Sequence, residues 1–198
     1  MRYIRYTKTL GLKYYADMND APVSYLLINA SIKAENKLIY FSDSSWQYFT
    51  DTRRSTGEYI IFFLGGPIDH DTHVPVPVAQ SSAYSEYNAA CTAGIALAHF
   101  RISSPEFLNK GPDIDPEEAP LIILDSKSDV CMAKNGKDTK HKRHISRRVH
   151  LVKNGKYWKM YKIDWCDGGL QLADIATKNV GENDLSPRMK YIMVRLDN

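Results

Sequence analysis

Runs of apolar residues divide the chain into predicted strands. Three extended segments come first, at 37–46, 58–64 and 73–78. The second ends at the turn signal Gly65-Gly66-Pro67, and prolines in the third remove backbone donors, so the third is predicted to be an edge strand. The short connections between them predict an antiparallel meander. Two later strands are predicted, the wholly apolar run Leu121–Leu124, which is typical of a buried central strand, and the alternating segment 156–164.

Helices are predicted after the meander and between the later strands. A long helix rich in small residues is predicted from Ser82, as its N-cap, to about Arg101. Further helical segments are predicted at 126–134, 141–154, 170–178 and 187–196, the second of them ended by Asn154-Gly155. Residues 23–28 fit a strand or a short helix. The order β-β-β-α-β-α-β-α predicts an α/β fold, a mixed sheet with helices packed on it.

Composition narrows the class of protein. The chain has 198 residues, 43% hydrophobic and 25% charged, which is ordinary for one soluble globular domain. It has no run of about 18 apolar residues that would cross a membrane and no secretory signal. Its three cysteines are far apart and form no CxxC pair, which excludes a zinc ribbon. An intracellular location, cytoplasmic or nuclear, is expected.

The net charge of +3 conceals an asymmetry. Between Met132 and Lys162 there are eight lysines and three arginines against one acid, Asp138, a net charge of +10. Since the whole chain carries +3, the remainder carries −7. A basic stretch on an acidic body favours a polyanion-binding face, although a solvated helix with its loops is the plainer interpretation.

Four acids occupy the ends of predicted elements. Asp43 lies in the first strand, Glu86 in the first turn of the long helix, Asp125 directly after the buried strand, and Asp174 in a late helix. A central strand carries its terminal acid to the edge of the sheet, where a helix packed on the sheet can bring another. Converging carboxylates repel unless a cation joins them, and hard oxygen ligands select Mg²⁺ or Mn²⁺. Two such ions roughly 4 Å apart would suit in-line displacement at phosphorus.

Six motifs in order resemble the ribonuclease H domain of copia-type LTR retrotransposon polyproteins. They are SDSSW at 42–46, DTRRSTGEYIIFFLGG at 51–66, AQSSAYSEYNAA at 79–90, LDSKSD at 124–129, TKHKRHI at 139–145 and QLADIATK at 171–178. Upstream, RYIRYTKTLGLKY at 2–14 resembles the end of the preceding reverse transcriptase. The chain is therefore divided into a reverse transcriptase remnant and linker at 1–36 and a ribonuclease H-like domain at 37–198.

The resemblance implies a ribonuclease H-like fold, a five-stranded mixed sheet with three antiparallel strands first, flanked by helices. It implies that Asp43, Glu86, Asp125 and Asp174 are catalytic and bind two Mg²⁺ ions, or Mn²⁺. The implied reaction is endonucleolytic hydrolysis of the RNA strand of an RNA–DNA hybrid. The basic segment is the natural place for phosphate contacts. The residues expected to bind nucleic acid are Lys140, Lys142, Arg143, His144, Arg147 and Arg148.

Some positions depart from the family pattern. His144 matches the family's KHI motif, and it either contacts the substrate or caps a helix. The acid Asp129 stands where the family has a small residue and adds a charge near the expected metals. The loop before Asp174 lacks the histidine found in cellular ribonucleases H, as is usual in the copia family.

Alternatives to an active nuclease remain open. The chain has no YxDD polymerase signature, so polymerisation is not expected. Retention of all four acids favours an active, metal-dependent enzyme. A domesticated, non-catalytic fold would instead bind nucleic acid or a protein, or serve as a structural subunit of a larger assembly. A polymerase is a further candidate partner.

Overall fold

The computed structural model describes residues 9–32, 38–49, 54–75, 79, 81–103, 119–134, 146–157, 160–177 and 182–195. Its strands are β1 Leu10–Gly11, β2 Leu38–Phe49, β3 Arg54–Phe63, β4 Gly66–His73, β5 Leu121–Leu124, β6 Lys162–Trp165 and β7 Val194–Arg195. Its α-helices are α1 Pro22–Asn29, α2 Ser82–Ser103, α3 Lys127–Lys134, α4 Ser146–Tyr157, α5 Asp174–Thr177 and α6 Glu182–Ile192.

The main sheet has five strands in the order β4-β3-β2-β5-β6. The pairs β2–β3 and β3–β4 are antiparallel, whereas β2–β5 and β5–β6 are parallel. This confirms the predicted mixed sheet with three antiparallel strands first. The fully buried run Leu121–Leu124 lies between two neighbours, as its apolar composition predicts. Strands β1 and β7 form a separate two-stranded antiparallel sheet.

A two-residue turn joins β3 to β4. Leu64 and Gly65 both have positive φ, 47° and 75°, which is the backbone of a type I′ hairpin. Pairing therefore resumes at once, with Phe63 opposite Gly66. Strand β4 consequently begins seven residues before the predicted strand at 73–78, of which 76–78 lie outside the described residues. The edge position that was predicted for 73–78 belongs to β4, which shares only His73 with that segment, and residues 74–75 lie outside the strand.

The core is divided between the two faces of the sheet. On one face Tyr40, Ile61 and Ile122 pack with residues of α2, α3 and α4. On the other face Phe41 and Phe62, whose rings meet edge to face at 5.7 Å, pack with residues of α1 and with the segment before α5. Alternate residues of each strand thus enter different cores. Asp43, within β2, and Asp125, directly after β5, continue the alternation of the residues that face the second core.

Several helix boundaries differ from the prediction. Of the segment predicted at 170–178, Asp174–Thr177 forms α5, and the helix predicted at 187–196 is α6, Glu182–Ile192, followed by strand β7. Contacts explain two further differences. Ser81 rather than Ser82 caps α2, since its Oγ accepts the Tyr84 N–H at 3.1 Å. Helix α4 continues through Gly155 to Tyr157, so the strand predicted from 156 begins only at Lys162. The reason is packing: Gly155 lies so close to the Tyr161 ring that a Cβ there would overlap it, and this contact explains the glycine better than a helix end does.

The N-terminal segment packs on the same sheet. The ambiguous residues 23–28 form part of α1, and the buried Val23, Leu26 and Leu27 join the core beneath Ile39 and Phe41. The division of the chain at residues 36 and 37 stays a prediction, and residues 33–37 lie outside the described residues. Among the described helices, none has both the length and the apolar character required to cross a membrane.

Candidate active site

Three of the four predicted acids converge at one end of the sheet. Strands β2 and β5 run parallel with Phe41 opposite Ile123, so Asp43 and Asp125, each two residues further on, lie at the same level and on the same face. Asp174, the first residue of α5, lies next to them on that face. One ligand atom from each carboxylate lies within 4.8 Å of the others. We call these three residues the aspartate cluster.

Glu86 lies beside the aspartate cluster. It is the fifth residue of α2, just beyond the first turn in which it was predicted. Its Oε1 accepts a hydrogen bond from Ser44 Oγ at 2.9 Å, and its buried Oε2 has no partner among the described residues. Burial, followed by the charges of Asp43 and Asp125, raises the pKa of Glu86 to about 9. The charge of Asp129 also raises it, in line with the prediction that this acid adds a charge nearby.

Sequence reasoning missed Glu58, a fifth acid at this end of the sheet. Glu58 lies on β3 directly opposite Asp43 and is 1% exposed. Burial, followed by the charge of Asp43, raises its pKa to about 8. The signal was the strand pattern itself: Glu58 has the same alternation as Ile60 and Phe62, whose side chains enter the core. A glutamate with this alternation must point inward.

Sequence reasoning also missed Gln171, which connects the backbones that carry the aspartate cluster. The ladder between β2 and β5 ends at Phe41 and Ile123. Beyond that point the fully buried Gln171 donates from Nε2 to the carbonyl oxygens of Ser42 at 3.0 Å and Ile123 at 3.5 Å. Its Oε1 accepts the N–H of Ala173, directly before Asp174, at 3.3 Å. Gln171 opens the QLAD motif, which was the available signal.

One arginine contacts the aspartate cluster. Arg188, on α6, places Nη2 3.2 Å from Asp174 Oδ2 and 3.1 Å from the carbonyl oxygen of Gly168. Both side chains of the ion pair are largely buried, at 14% and 8% exposure. The guanidinium therefore offsets part of the negative charge of Asp174. The charges that act on Glu58 and Glu86 are mainly those of neighbouring aspartates.

Few of the residues predicted to bind nucleic acid fall in the described part of the chain. Lys140, Lys142, Arg143 and His144 lie outside the described residues, and Arg147 is described only as part of helix α4. Arg148 lies with its guanidinium 5.7 Å from the centre of the Tyr84 ring, a cation–π distance. Tyr84 is two residues before Glu86 on α2. The contact therefore brings Arg148, one of the residues predicted to bind nucleic acid, to the helix that carries Glu86.

The chemistry of the donor set fits a hard divalent cation. The aspartate cluster offers carboxylate oxygens, the ligands that Mg²⁺ and Mn²⁺ prefer. The Oε2 atoms of Glu58 and Glu86 are buried without hydrogen-bond partners among the described residues, which is costly for polar atoms unless a further group satisfies them. A cation with its coordinated waters supplies such a group.

Comparisons with known proteins identify the fold. No family model and no curated protein matches the sequence. An RNase H1 from the halophilic archaeon Halobacterium salinarum is similar in structure with a TM-score of 0.52 and 13% identity, over 76% of this chain and 98% of that one. An N-terminal RNase H domain from Mycobacterium tuberculosis gives 0.49 and 8%, over 77% and 96%. LC11-RNase H1, solved with an RNA/DNA hybrid, gives 0.47 and 11%, over 68% and 88%. The archaeal likeness and the strand order together show that this chain has a ribonuclease H-like fold.

Proposed function

We propose that the chain is a divalent-metal-dependent endonuclease that hydrolyses the RNA strand of RNA–DNA hybrids. The observation that carries the proposal is the convergence of Asp43, Asp125 and Asp174 within 4.8 Å at the end of a ribonuclease H-like sheet. The order of motifs in the sequence, from SDSSW to QLADIATK, supports the same function. It also supports an origin in a copia-type retrotransposon polyprotein, with residues 1–36 left from the reverse transcriptase and its linker.

The aspartate cluster and Glu86 would hold Mg²⁺ or Mn²⁺. When bound, two such ions activate a water for attack at phosphorus and stabilise the leaving 3′ oxygen. Ser44 fixes the Glu86 carboxyl by donating to Oε1, which leaves Oε2 for the ions or their waters. Gln171 holds the β2 and β5 backbones at a fixed separation, and Arg188 orients Asp174 through Oδ2. The protein's part in catalysis is thus to hold carboxylate oxygens in place around the scissile phosphate.

The basic segment around Arg148 would bind the hybrid's phosphates. The charge of +10 between Met132 and Lys162 suits a polyanion. The Tyr84 ring beneath Arg148 restricts the guanidinium to the surface of α2, the helix that bears Glu86. A phosphate bound there would place the neighbouring strand near the carboxylates. Recognition would rest on the shape of the groove and on the 2′-OH groups of the hybrid. We therefore expect cleavage to show little sequence preference.

Cleavage of a labelled hybrid tests the function. The wild type is expected to cut the RNA strand of an RNA–DNA hybrid in Mg²⁺ or Mn²⁺, and to leave double-stranded DNA intact. Asp43→Asn is expected to abolish cleavage because it removes a ligand charge from the aspartate cluster. Asp20→Asn, which removes an exposed carboxylate from the N-terminal segment, is the matched control and should cut like the wild type.

Failure of the wild type to cut with either metal would refute the nuclease. If the wild type then still bound the hybrid, and Asp43→Asn bound it equally well, the result would favour the non-catalytic nucleic-acid-binding alternative.

A further inference from the structure

Glu58 is buried at a position where burial of a glutamate is energetically costly. Its residue partner across the β2–β3 ladder is Asp43, so the two side chains share a face with Cβ atoms roughly 5 Å apart. Both residues are 1% exposed. Glutamate is almost never fully buried unless it is paired, because removing its charge from water is costly.

The surroundings of Glu58 are acidic. Asp43, Asp71 and Asp174 are the charges that raise its pKa, after burial itself. A hydrogen bond from the Thr72 side chain partly offsets them. The Oε2 atom is buried and has no hydrogen-bond partner among the described residues. The site therefore holds a buried acceptor oxygen next to two members of the aspartate cluster, with nothing described there to satisfy it.

The position of Glu58 is opposite to that of Glu86. Glu86 comes from α2 and accepts a hydrogen bond from Ser44, whose side chain lies on the other face of β2 from Asp43, whereas Glu58 comes from β3 and lies on the same face as Asp43. Asp43 is thus flanked by a glutamate on each side. Glu58 does not belong to the group of described residues whose ligand atoms lie within 4.8 Å of one another. Neither does Glu86, and a carboxylate beside the cluster can accept hydrogen bonds from a cation's coordinated waters, several of which Mg²⁺ keeps in protein sites.

We propose that Glu58 is a positioning residue of the metal centre, whose Oε2 would accept a hydrogen bond from a water of a cation held by the aspartate cluster. The inference rests on the proposed metal centre. Mg²⁺ keeps several of its waters in protein sites, and carboxylates that hold such waters change metal affinity by about 10- to 100-fold. Glu58 would thereby hold a coordinated water, and through it the cation, beside Asp43.

Metal binding without substrate tests the inference. The probe is Mn²⁺ alone, titrated into the full chain while electron paramagnetic resonance reports free Mn²⁺, with Mg²⁺ as competitor. Glu58→Gln keeps the shape of the side chain and is expected to weaken Mn²⁺ binding by about tenfold or more. Asp69→Asn is the matched control, because it removes an exposed acid from the adjacent strand β4. It should change the affinity by less than about twofold, since solvent screens an exposed charge.

The outcomes separate this inference from the nuclease proposal. Wild-type affinity in Glu58→Gln would overturn the role of Glu58, and so would an equal loss in Asp69→Asn, which would reduce the effect to general charge. If Glu58→Gln does not fold, Glu58→Asp keeps the charge but withdraws it by one methylene, and unchanged affinity in that variant would also overturn the role. If Glu58→Gln binds Mn²⁺ tenfold more weakly but the wild type does not cut the hybrid, the role of Glu58 in metal binding is upheld and the nuclease activity is refuted. An Mn²⁺ affinity that is unchanged by Asp43→Asn would refute the metal centre itself and Glu58 with it.

Discussion

Replacing Gln171 with methionine should disturb the aspartate cluster without touching any carboxylate. Methionine has nearly the shape of glutamine but donates no hydrogen bond. The change removes the bond to the Ser42 carbonyl at 3.0 Å, which has an ordinary length, and the two longer bonds to Ile123 and Ala173 at 3.5 and 3.3 Å. A buried acceptor that loses its donor costs about 1–3 kcal/mol, and each longer bond adds about 0.5 kcal/mol. We expect the free energy of unfolding to fall by about 2–4 kcal/mol.

The same change should also weaken metal binding. The three bonds fix the backbone next to Asp43 and Asp174 and two residues before Asp125. Without them the carboxylates are held less closely together, and we expect Mn²⁺ affinity to fall by about tenfold. Urea unfolding in EDTA measures the first effect and Mn²⁺ titration the second. Ser24→Ala is the control, because Ser24 Oγ makes a buried hydrogen bond to the Met18 carbonyl within the N-terminal segment. If Gln171→Met loses stability but binds Mn²⁺ as tightly as Ser24→Ala does, the argument that Gln171 aligns the aspartates is wrong.

Three further predictions concern charge and packing around the site. Burial raises the pKa values of Glu58 and Glu86 to about 8 and about 9, so folding favours their protonated forms. Their contribution to the stability of the metal-free protein is full below about pH 4 and is lost as the pH rises through about 8 to 9. Thermal melts in EDTA at a series of pH values will detect this loss. Glu86→Gln should make the melting temperature depend less on pH. Arg188→Gln removes a counter-charge of Asp174 and should cost about 3 kcal/mol in EDTA but less in saturating Mn²⁺; equal losses in urea titrations under both conditions would contradict this. Gly155→Ala forces a Cβ against the Tyr161 ring and should cost about 1–3 kcal/mol of unfolding free energy, and an unchanged urea midpoint would refute the close contact.

Asp125 was predictable because local sequence fixes where its strand ends. A wholly apolar run such as Leu121–Leu124 can only be buried, so the acid that follows it must emerge at the sheet edge. Asp43 lies within β2, which continues to Phe49, and Asp174 follows no apolar run; the sequence placed each in its element, and the family motifs pointed to both. The extent of β4 depended on a two-residue turn at Leu64 and Gly65, whose leucine has a positive φ that its residue type does not suggest.

Glu58 and Gln171 escaped prediction for a different reason. Their roles depend on which residues lie opposite them, and those partners are distant along the chain. Alternation shows that Glu58 points inward, but the register with Asp43 depends on the whole β2–β3 pairing. Likewise, Gln171 acts at the point where the β2–β5 ladder ends, which only the packed sheet defines. Element ends follow from local apolar patterns, whereas contacts across elements follow from tertiary geometry.

The charge balance of the site links protons to the cation. The aspartate cluster, Glu58 and Glu86 lie close together in the sheet, and Arg188 pairs with Asp174. Without a cation, the raised pKa values of Glu58 and Glu86 mean that both hold protons near neutral pH, and these protons limit the repulsion. A bound divalent ion removes the need for those protons and favours the ionised carboxyls, so ion binding and proton release must be coupled. The protonated glutamates therefore add no negative charge beside the aspartates in the metal-free protein, and they become acceptors for the ion and its waters once it binds.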